Sequence, residues 1–202
     1  MPRRARAIGP DVIYHVLNRA AKRLILFKTA KDYSAFEQIL FGLTIETGMR
    51  LLSYCIMPNH WRLVLRPRTA KALSDFMCRL TVTHALRWHA FHKTGGTGPV
   101  YQGRYKATPV QQDNHFILLC RYVERNPVRA RLVNRSEDWN WCSLSLRSKN
   151  TVAGKDPHFG STKRASGEEA WVIETARELG LESTLRPRGR PRKGSRPLLP
   201  DP

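Results

Sequence analysis

Runs of apolar residues at two different spacings predict a chain that contains both strands and helices. Residues 11–18 alternate apolar and polar side chains, which is typical of a half-buried strand. Residues 32–47 carry apolar side chains at helical spacing and end before Gly48, which suits a helix C-cap. The predicted strands are 11–18, 50–57, 60–66 and one within 100–110, and the predicted helices are 32–47, 70–92 and 113–125, the last capped by Asp113.

The long helix predicted over residues 70–92 has one apolar stripe. Its predicted buried positions are Leu73, Phe76, Met77, Leu80, Thr83 and Leu86. The same helix carries Arg79 and Arg87 together with three histidines, so we expect these polar residues to face water or DNA: His84, His89 and His92.

The order of the predicted elements is β-α-β-β-α-β-α, which matches the split β-α-β arrangement of ferredoxin-like folds. The sequence therefore predicts an α+β domain over residues 1–150, with an antiparallel sheet and helices packed on one face. Because this fold hosts many functions, it does not by itself identify one.

Composition changes after the predicted domain. Residues 151–167 are rich in Gly, Lys, Ser, Thr and Pro and are predicted to be a linker, and residues 168–181 a C-terminal helix. Residues 182–202 are predicted to be a disordered basic tail because they are rich in Arg, Pro and Gly. Within this tail, residues 188–191 (Arg-Gly-Arg-Pro) resemble an AT-hook core, whose arginines enter the narrow minor groove of A·T-rich DNA. A basic tail that binds any polyanion is the alternative, and four residues do not separate the two.

The charge of the chain indicates a polyanionic partner. Lys and Arg number 35 against 16 Asp and Glu, which gives a formal net charge of +19. Such an excess favours nucleic acid, since binding to phosphates releases counterions. No apolar run is long enough to span a membrane and no signal-peptide pattern is present, so we expect no membrane partner. Scattered cysteines suit small buried or half-buried thiols in a reducing, cytoplasmic setting: Cys55, Cys78, Cys120 and Cys142.

Two segments carry candidate chemistry. On a strand, His60 and Arg62 share one face while Trp61 points to the other. On a helix, Tyr122 and Asn126 lie one turn apart on the same side. If the last helix packs across the sheet, the phenol lies over the strand that carries His60. A tyrosine attacks phosphorus only when it loses its proton and the phosphate charge is neutralised, usually by a divalent ion. Tyr122 together with His60, a residue type that binds metals, therefore indicates phosphodiester chemistry on nucleic acid.

These residues resemble the REP-associated tyrosine transposases, a group within the single-tyrosine HUH transposases. The matching segments are 14–19, 54–61, 100–106, 120–130, 137–141 and the tail around 185–193. So many ordered matches are specific, whereas a lone histidine or tyrosine is not.

The resemblance implies a ferredoxin-like nuclease domain that acts on single-stranded, often hairpin-forming DNA. Tyr122 would attack the scissile phosphate and leave a 5′-phosphotyrosine link and a free 3′-hydroxyl, which a second hydroxyl then reverses. A Mg²⁺ or Mn²⁺ ion would be held by His60, a second histidine and Asn126. Basic residues are the candidate DNA contacts: Arg62, Arg104, Lys106, Arg121, Arg188 and Arg190. We expect a monomer or homodimer and no small-molecule substrate.

The chain departs from the family pattern at Arg62, which stands where the family has its second histidine. A guanidinium donates no lone pair to a metal and keeps its charge. Two unit charges about 4 Å apart in a partly screened site repel by about 4 kcal/mol, and a divalent ion about doubles that. Weak metal binding is expected. Either Arg62 itself binds the phosphate in slow, metal-poor chemistry, or the protein is a repurposed transposase that only binds DNA hairpins.

Simpler interpretations remain open for each candidate. Tyr122 also suits a half-buried core aromatic, and His60 a hydrogen-bonded strand residue. Asn126 before Pro127 also suits a helix N-cap followed by proline at the first helical position. An RNA-binding module is a third function class, but residues 100–110 lack the exposed aromatic pattern that such sheets use.

Overall fold

Four antiparallel strands form the centre of the protein. A computed structural model describes residues 12–111 and 114–150. The strands are β1 (Ile13–Arg19), β2 (Arg50–Met57), β3 (His60–Arg66) and β4 (Lys106–Val110). They are ordered β2-β3-β1-β4, and β1 pairs with both β3 and β4. This arrangement confirms the predicted ferredoxin-like α+β class.

Helices connect and cover the sheet. They are α1 (Ala30–Thr47), α2 (Ala70–His92), α3 (Asn114–Glu124), α4 (Asn126–Arg129) and α5 (Ser143–Asn150). Helix α1 begins two residues earlier than predicted. The Asp32 carboxylate accepts hydrogen bonds from the backbone N–H groups of Lys28 and Thr29, at 2.9 and 2.8 Å. Asp32 therefore lies inside the first turn of the helix and caps it from there. It ends at Gly48, whose φ of 63° is the left-handed conformation expected of a C-cap.

The sheet is covered on both faces, which we name by the helices against them. The first face packs against α1 and α2 and carries Tyr14, Val16, Trp61, Leu63 and Leu65. The second face packs against α3, and its apolar centre joins sheet residues to helix residues: Ile13, Cys55, Met57 and Val64 with Cys120 and Val123. The predicted placement of helices on one face therefore holds for α1 and α2, but α3 lies on the opposite face. The reason is visible in β2, where five consecutive residues from Ser53 to Met57 are buried, as in a strand covered on both sides.

The buried stripe of α2 differs from the prediction after Leu80. It continues through His84 and Trp88, one turn apart, while Leu86 is exposed. His84 is only 4% exposed, stacks on Phe27 with ring centres 5.4 Å apart, and has its Nδ1 2.7 Å from the Tyr101 hydroxyl. The prediction of a solvated or DNA-facing histidine is wrong at this position, because the tyrosine supplies the hydrogen bond that lets an imidazole join the core.

Several predictions lie outside the described residues: the Asp113 cap, the linker at 151–167, the helix at 168–181 and the tail at 182–202 with Arg188 and Arg190. Within the described residues, none of the helices combines the length and hydropathy that a membrane span requires.

We expect the core of the first face to depend strongly on Trp61, which is fully buried and donates its indole N–H to the Tyr101 hydroxyl at 3.0 Å. Trp61→Ala should lower the free energy of unfolding by about 3–5 kcal/mol through lost burial and a cavity. Urea unfolding measures this. Ile45→Ala is the control, because Ile45 is 84% exposed and its loss should change stability by less than about 0.5 kcal/mol. A loss below about 1 kcal/mol for Trp61→Ala would contradict the packing described.

Candidate active site

Tyr122 lies near the end of α3 over the second face of the sheet. Its ring centre is 6.4 Å from that of His15 on β1, with the ring planes at 88°. The Arg62 guanidinium carbon on β3 is 5.2 Å from the same phenol ring centre. Since His60 precedes Arg62 by two residues, it shares this face. Tyr122 remains 37% exposed, so the residue is accessible from solvent.

A buried carboxylate fixes α3 to the sheet. Glu124 accepts hydrogen bonds from the hydroxyls of Ser53 on β2 and Ser143 on α5, at 3.1 and 2.6 Å. Arg147 of α5 also donates to it and forms an ion pair. Three partners from two other elements thus hold the residue two positions after Tyr122, which limits how the helix can rotate over the sheet.

Asn126 links α3 to α4. Its side-chain amide N–H group donates to the backbone carbonyls of Tyr122 and Val123, at 2.9 and 3.0 Å. The N-cap interpretation is therefore wrong, because Arg125 occupies the N-cap position of α4 and Asn126 is the first residue of that helix. The amide instead bonds carbonyls that the end of α3 leaves without helical partners. Only its Oδ1 atom remains to act as a ligand.

His60 begins β3 and is half-buried. Its Nδ1 atom lies 2.8 Å from Asn59 Oδ1, and its cross-strand neighbours are Arg19 and Met57. An imidazole whose Nδ1 is hydrogen-bonded by a neighbouring oxygen can present Nε2 to a ligand. This geometry suits both a site residue and a purely structural strand residue.

The residues present do not fit a three-ligand metal site. His60 and Asn126 offer one nitrogen and one oxygen, and Arg62, which the resemblance aligns with the second histidine, is a cation without a lone pair for a metal. Across residues 12–111 and 114–150, no group of three or more His, Cys, Asp or Glu side chains could hold a metal ion. The donor set thus differs from the one that the family resemblance implies.

His15 was not among the predicted site residues. Burial, with the Arg62 charge acting in the same direction, lowers the pKa of His15 to about 4, so its imidazole is neutral near pH 7. Its Nε2 atom is buried without a hydrogen-bond partner in the part of the chain that the structure describes. The sequence does indicate that His15 lies on the strand face opposite to the buried Tyr14 and Val16. That this opposite face also carries Arg62 follows only from the pairing of β1 with β3.

Arg129 is a second residue that the sequence did not single out. Its guanidinium carbon lies 5.0 Å from the Tyr122 ring centre, close to the 5.2 Å of Arg62. The residue belongs to α4, beyond the break at Arg125. Helical spacing cannot be extended through such a break, so the sequence alone does not place Arg129 beside Tyr122.

The other predicted DNA contacts divide between two parts of the surface. Leu17 of β1 pairs with Lys106 of β4 on one side and with Arg62 of β3 on the other. Lys106 and Arg62 therefore belong to one row of side chains across the second face. Arg104 instead lines an open cavity of about 510 Å³ beside α2. Arg121 is exposed on α3, about 100° around the helix from Tyr122.

Comparisons with known proteins agree with this architecture. A family model described as "Transposase IS200 like" matches residues 10–126. The solved structure of a REP-associated tyrosine transposase bound to a REP hairpin is similar with a TM-score of 0.59 at 13% identity, covering 83% of this chain and 99% of that one. At that identity the likeness shows the fold alone. A transposase candidate from Deinococcus radiodurans R1 is 18% identical with a TM-score of 0.43, covering 61% of this chain and 97% of its own. A search of curated proteins gives no match.

We expect Glu124→Ala to lower the free energy of unfolding by about 3 kcal/mol, because it removes the buried carboxylate that pairs with the partly buried Arg147 and accepts hydrogen bonds from two serine hydroxyls. Urea unfolding followed by circular dichroism measures the loss. Glu46→Ala is a matched control, since it breaks only an exposed ion pair with Arg79, whose loss should change stability far less. Equal losses in the two variants would show that Glu124 does not anchor the helix.

Stability should decrease as pH is lowered from 6.5 toward 4. In that window the unfolded chain binds protons at His15 and His84, whereas burial lowers the folded pKa of each to about 4. The unfolded state thus binds more protons, and each histidine contributes up to about 3 kcal/mol of lost stability. Denaturant unfolding at several pH values should show a shallower decrease for His15→Gln. An unchanged pH dependence in that variant would mean that His15 is protonated normally in the folded protein.

Proposed function

The chain belongs to the family of IS200-like transposases, and on that premise we propose that it cuts and rejoins single-stranded hairpin DNA with Tyr122 as nucleophile. The observation that carries this proposal is the position of the phenol. It is exposed at the end of an anchored helix, over a sheet face that carries His60 and Arg62. Family membership accounts for DNA transposition; the tyrosine chemistry is the proposal.

The reaction exchanges one phosphodiester for another. The Tyr122 oxygen attacks phosphorus, the bond from phosphorus to the 3′-oxygen breaks, and the products are a 5′-phosphotyrosine and a 3′-hydroxyl. The phenol proton goes to water, and the departing 3′-oxygen takes a proton from water. A second 3′-hydroxyl reverses the step and joins new ends, so no external energy source is needed.

A hairpin is the favoured substrate class. The structurally similar REP-associated tyrosine transposase is bound to a REP hairpin, and the net charge of +19 here suits a phosphate backbone. The row that contains Arg62 and Lys106 provides fixed positive charge across the face that Tyr122 overlies. These contacts position a strand rather than read its bases.

Incubation with a panel of hairpin oligonucleotides in Mn²⁺ should give a covalent protein–DNA adduct through the 5′-phosphate, detected by denaturing gel and mass spectrometry. Tyr122→Phe should reduce the adduct to background, because the variant lacks the attacking oxygen. Tyr105→Phe is the control, since that phenol is buried. Absence of an adduct from both wild type and Arg62→His across the panel would contradict the enzymatic proposal.

A second function, a catalytically silent hairpin-binding protein, is favoured by one observation: Arg62 stands in place of a metal ligand. In that case Tyr122→Phe leaves hairpin affinity unchanged, the wild type forms no adduct, and Arg62→His gains Mn²⁺-dependent cleavage. Fluorescence anisotropy for binding and the adduct assay for cleavage, run on the same three proteins, separate the two functions.

A further inference from the structure

We propose that a row of exposed arginines on α3 and α4 binds the phosphate backbone of the double-stranded stem of a DNA hairpin. This arginine ridge consists of Arg121, Arg125, Arg129 and Arg131. The inference rests on the proposed function, because it names the surface that holds the stem while Tyr122 meets the strand to be cut.

Backbone hydrogen bonds place three of these arginines one helical turn apart. The N–H of Arg125 donates to the carbonyl of Arg121 at 2.9 Å, and the N–H of Arg129 donates to the carbonyl of Arg125 at 3.0 Å. The turn spacing therefore continues through the change of helix at Arg125, with a rise of about 6 Å for every four residues. The exposed cations form an extended row and not a compact cluster.

The charge of the ridge is not neutralised by neighbouring carboxylates. Glu124 is the only acidic residue between Arg121 and Arg131, and it is buried and bound to α5. None of the ion pairs within the described residues includes a ridge arginine. The next carboxylate along the chain, Glu137, pairs with Arg135 at 3.7 Å. The ridge therefore presents its full positive charge to solvent, as a surface that binds phosphates does.

Arg131 occupies a backbone position that normally favours glycine. Its φ is 57°, in the left-handed region. Its N–H donates to the Val128 carbonyl, and the N–H of Leu132 donates to the Pro127 carbonyl, both at 2.9 Å. This pair of bonds ends a helix around a left-handed residue, which is usually glycine because a side chain is strained there. An arginine at this position is better explained by what its charge binds than by the fold.

The form of the ridge favours a double-stranded partner. Proteins that hold single strands combine a basic groove with aromatic side chains on which the bases stack. Among the described residues 115–135, the only exposed Phe, Trp or Tyr is Tyr122, at the edge of the ridge. A row of guanidinium groups on helix surfaces instead suits the closely spaced phosphates of a duplex, which it binds without reading bases.

The ridge passes beside the candidate nucleophile. Arg121 precedes Tyr122 in the chain, and the Arg129 guanidinium carbon lies 5.0 Å from the Tyr122 ring centre. A stem that lies along the ridge therefore brings the end of its paired region close to Tyr122. The unpaired strand that continues from the stem then reaches the second face of the sheet.

The test measures DNA binding by fluorescence anisotropy over a series of salt concentrations, in a Tyr122→Phe background so that no adduct forms. The ligands are a hairpin, a blunt duplex of its stem sequence and an unstructured single strand of the same length. Each single ridge substitution to glutamine should lower the slope of log affinity against log salt by about 0.9 for hairpin and duplex, and all four together by about 3–4. The single strand should show a clearly smaller change.

Arg87→Gln is the matched control, because it removes the same charge from an exposed position on α2, which packs on the other face of the sheet. Its salt slope for the hairpin should equal that of the parent protein. Circular dichroism checks that the fourfold variant is folded, and the single variants test the ridge independently of it.

Two substitutions at Arg131 separate a binding role from a structural one. Arg131→Gly and Arg131→Gln both remove the charge, but only glycine relieves the left-handed backbone. Both should lose the same salt slope, and the urea midpoint of Arg131→Gly should equal or exceed that of the parent protein. Lower midpoints in both variants, with hairpin binding unchanged, would show that the arginine serves the helix end and would overturn its place in the ridge.

The outcomes separate the ridge from the chemistry at Tyr122. If the wild type forms the hairpin adduct but the fourfold variant keeps the parent salt slope, the ridge is overturned and the Tyr122 reaction stands. If neither the wild type nor Arg62→His forms an adduct but the ridge variants lose the slope, the reaction fails and the ridge stands as the surface of a hairpin-binding protein. An equal loss on the single strand, or in Arg87→Gln, means attraction of any polyanion and overturns the ridge.

Discussion

The position of the Tyr122 phenol depends on how helix α3 is attached to the second face of the sheet. Cys120 and Val123 of α3 pack against the sheet, and the buried Glu124 receives hydrogen bonds from two other elements. Hydrophobic burial alone would permit the helix to slide or rotate, since it has no direction. A carboxylate with fixed partners removes that freedom, and a phenol two residues away is held over β3.

Much of the fold follows from periodicity alone. The bounds of β2, β3 and α2 are those predicted from the sequence, because each has a strong pattern that ends at a clear turn or cap. The failures occur where a polar residue is buried or where a strand is covered on both sides. His84 joins the core because Tyr101 bonds it, and α3 occupies the opposite face from α1 and α2. Neither fact is visible without the tertiary partner.

The candidate site was predictable only in part, and for similar reasons. Matching motifs in two segments identified Tyr122, His60 and Arg62, and alternation along β3 placed the last two on one face. The presence of His15 depends on strand register, and that of Arg129 on a helix that breaks and restarts at Arg125. Such relations join residues far apart in the chain or across an irregular turn. The family match confirms the resemblance read from the motifs.

The central claim is that the phosphate at which a DNA strand would be cut lies beside Tyr122, over the second face of the sheet. A crystal structure of Tyr122→Phe with an uncleaved hairpin tests it most directly, because this variant can bind the strand without cutting it. The account predicts the scissile phosphate beside the ring at position 122, on the second face of the sheet. A phosphate held instead beside α1 and α2, on the first face of the sheet, would contradict it.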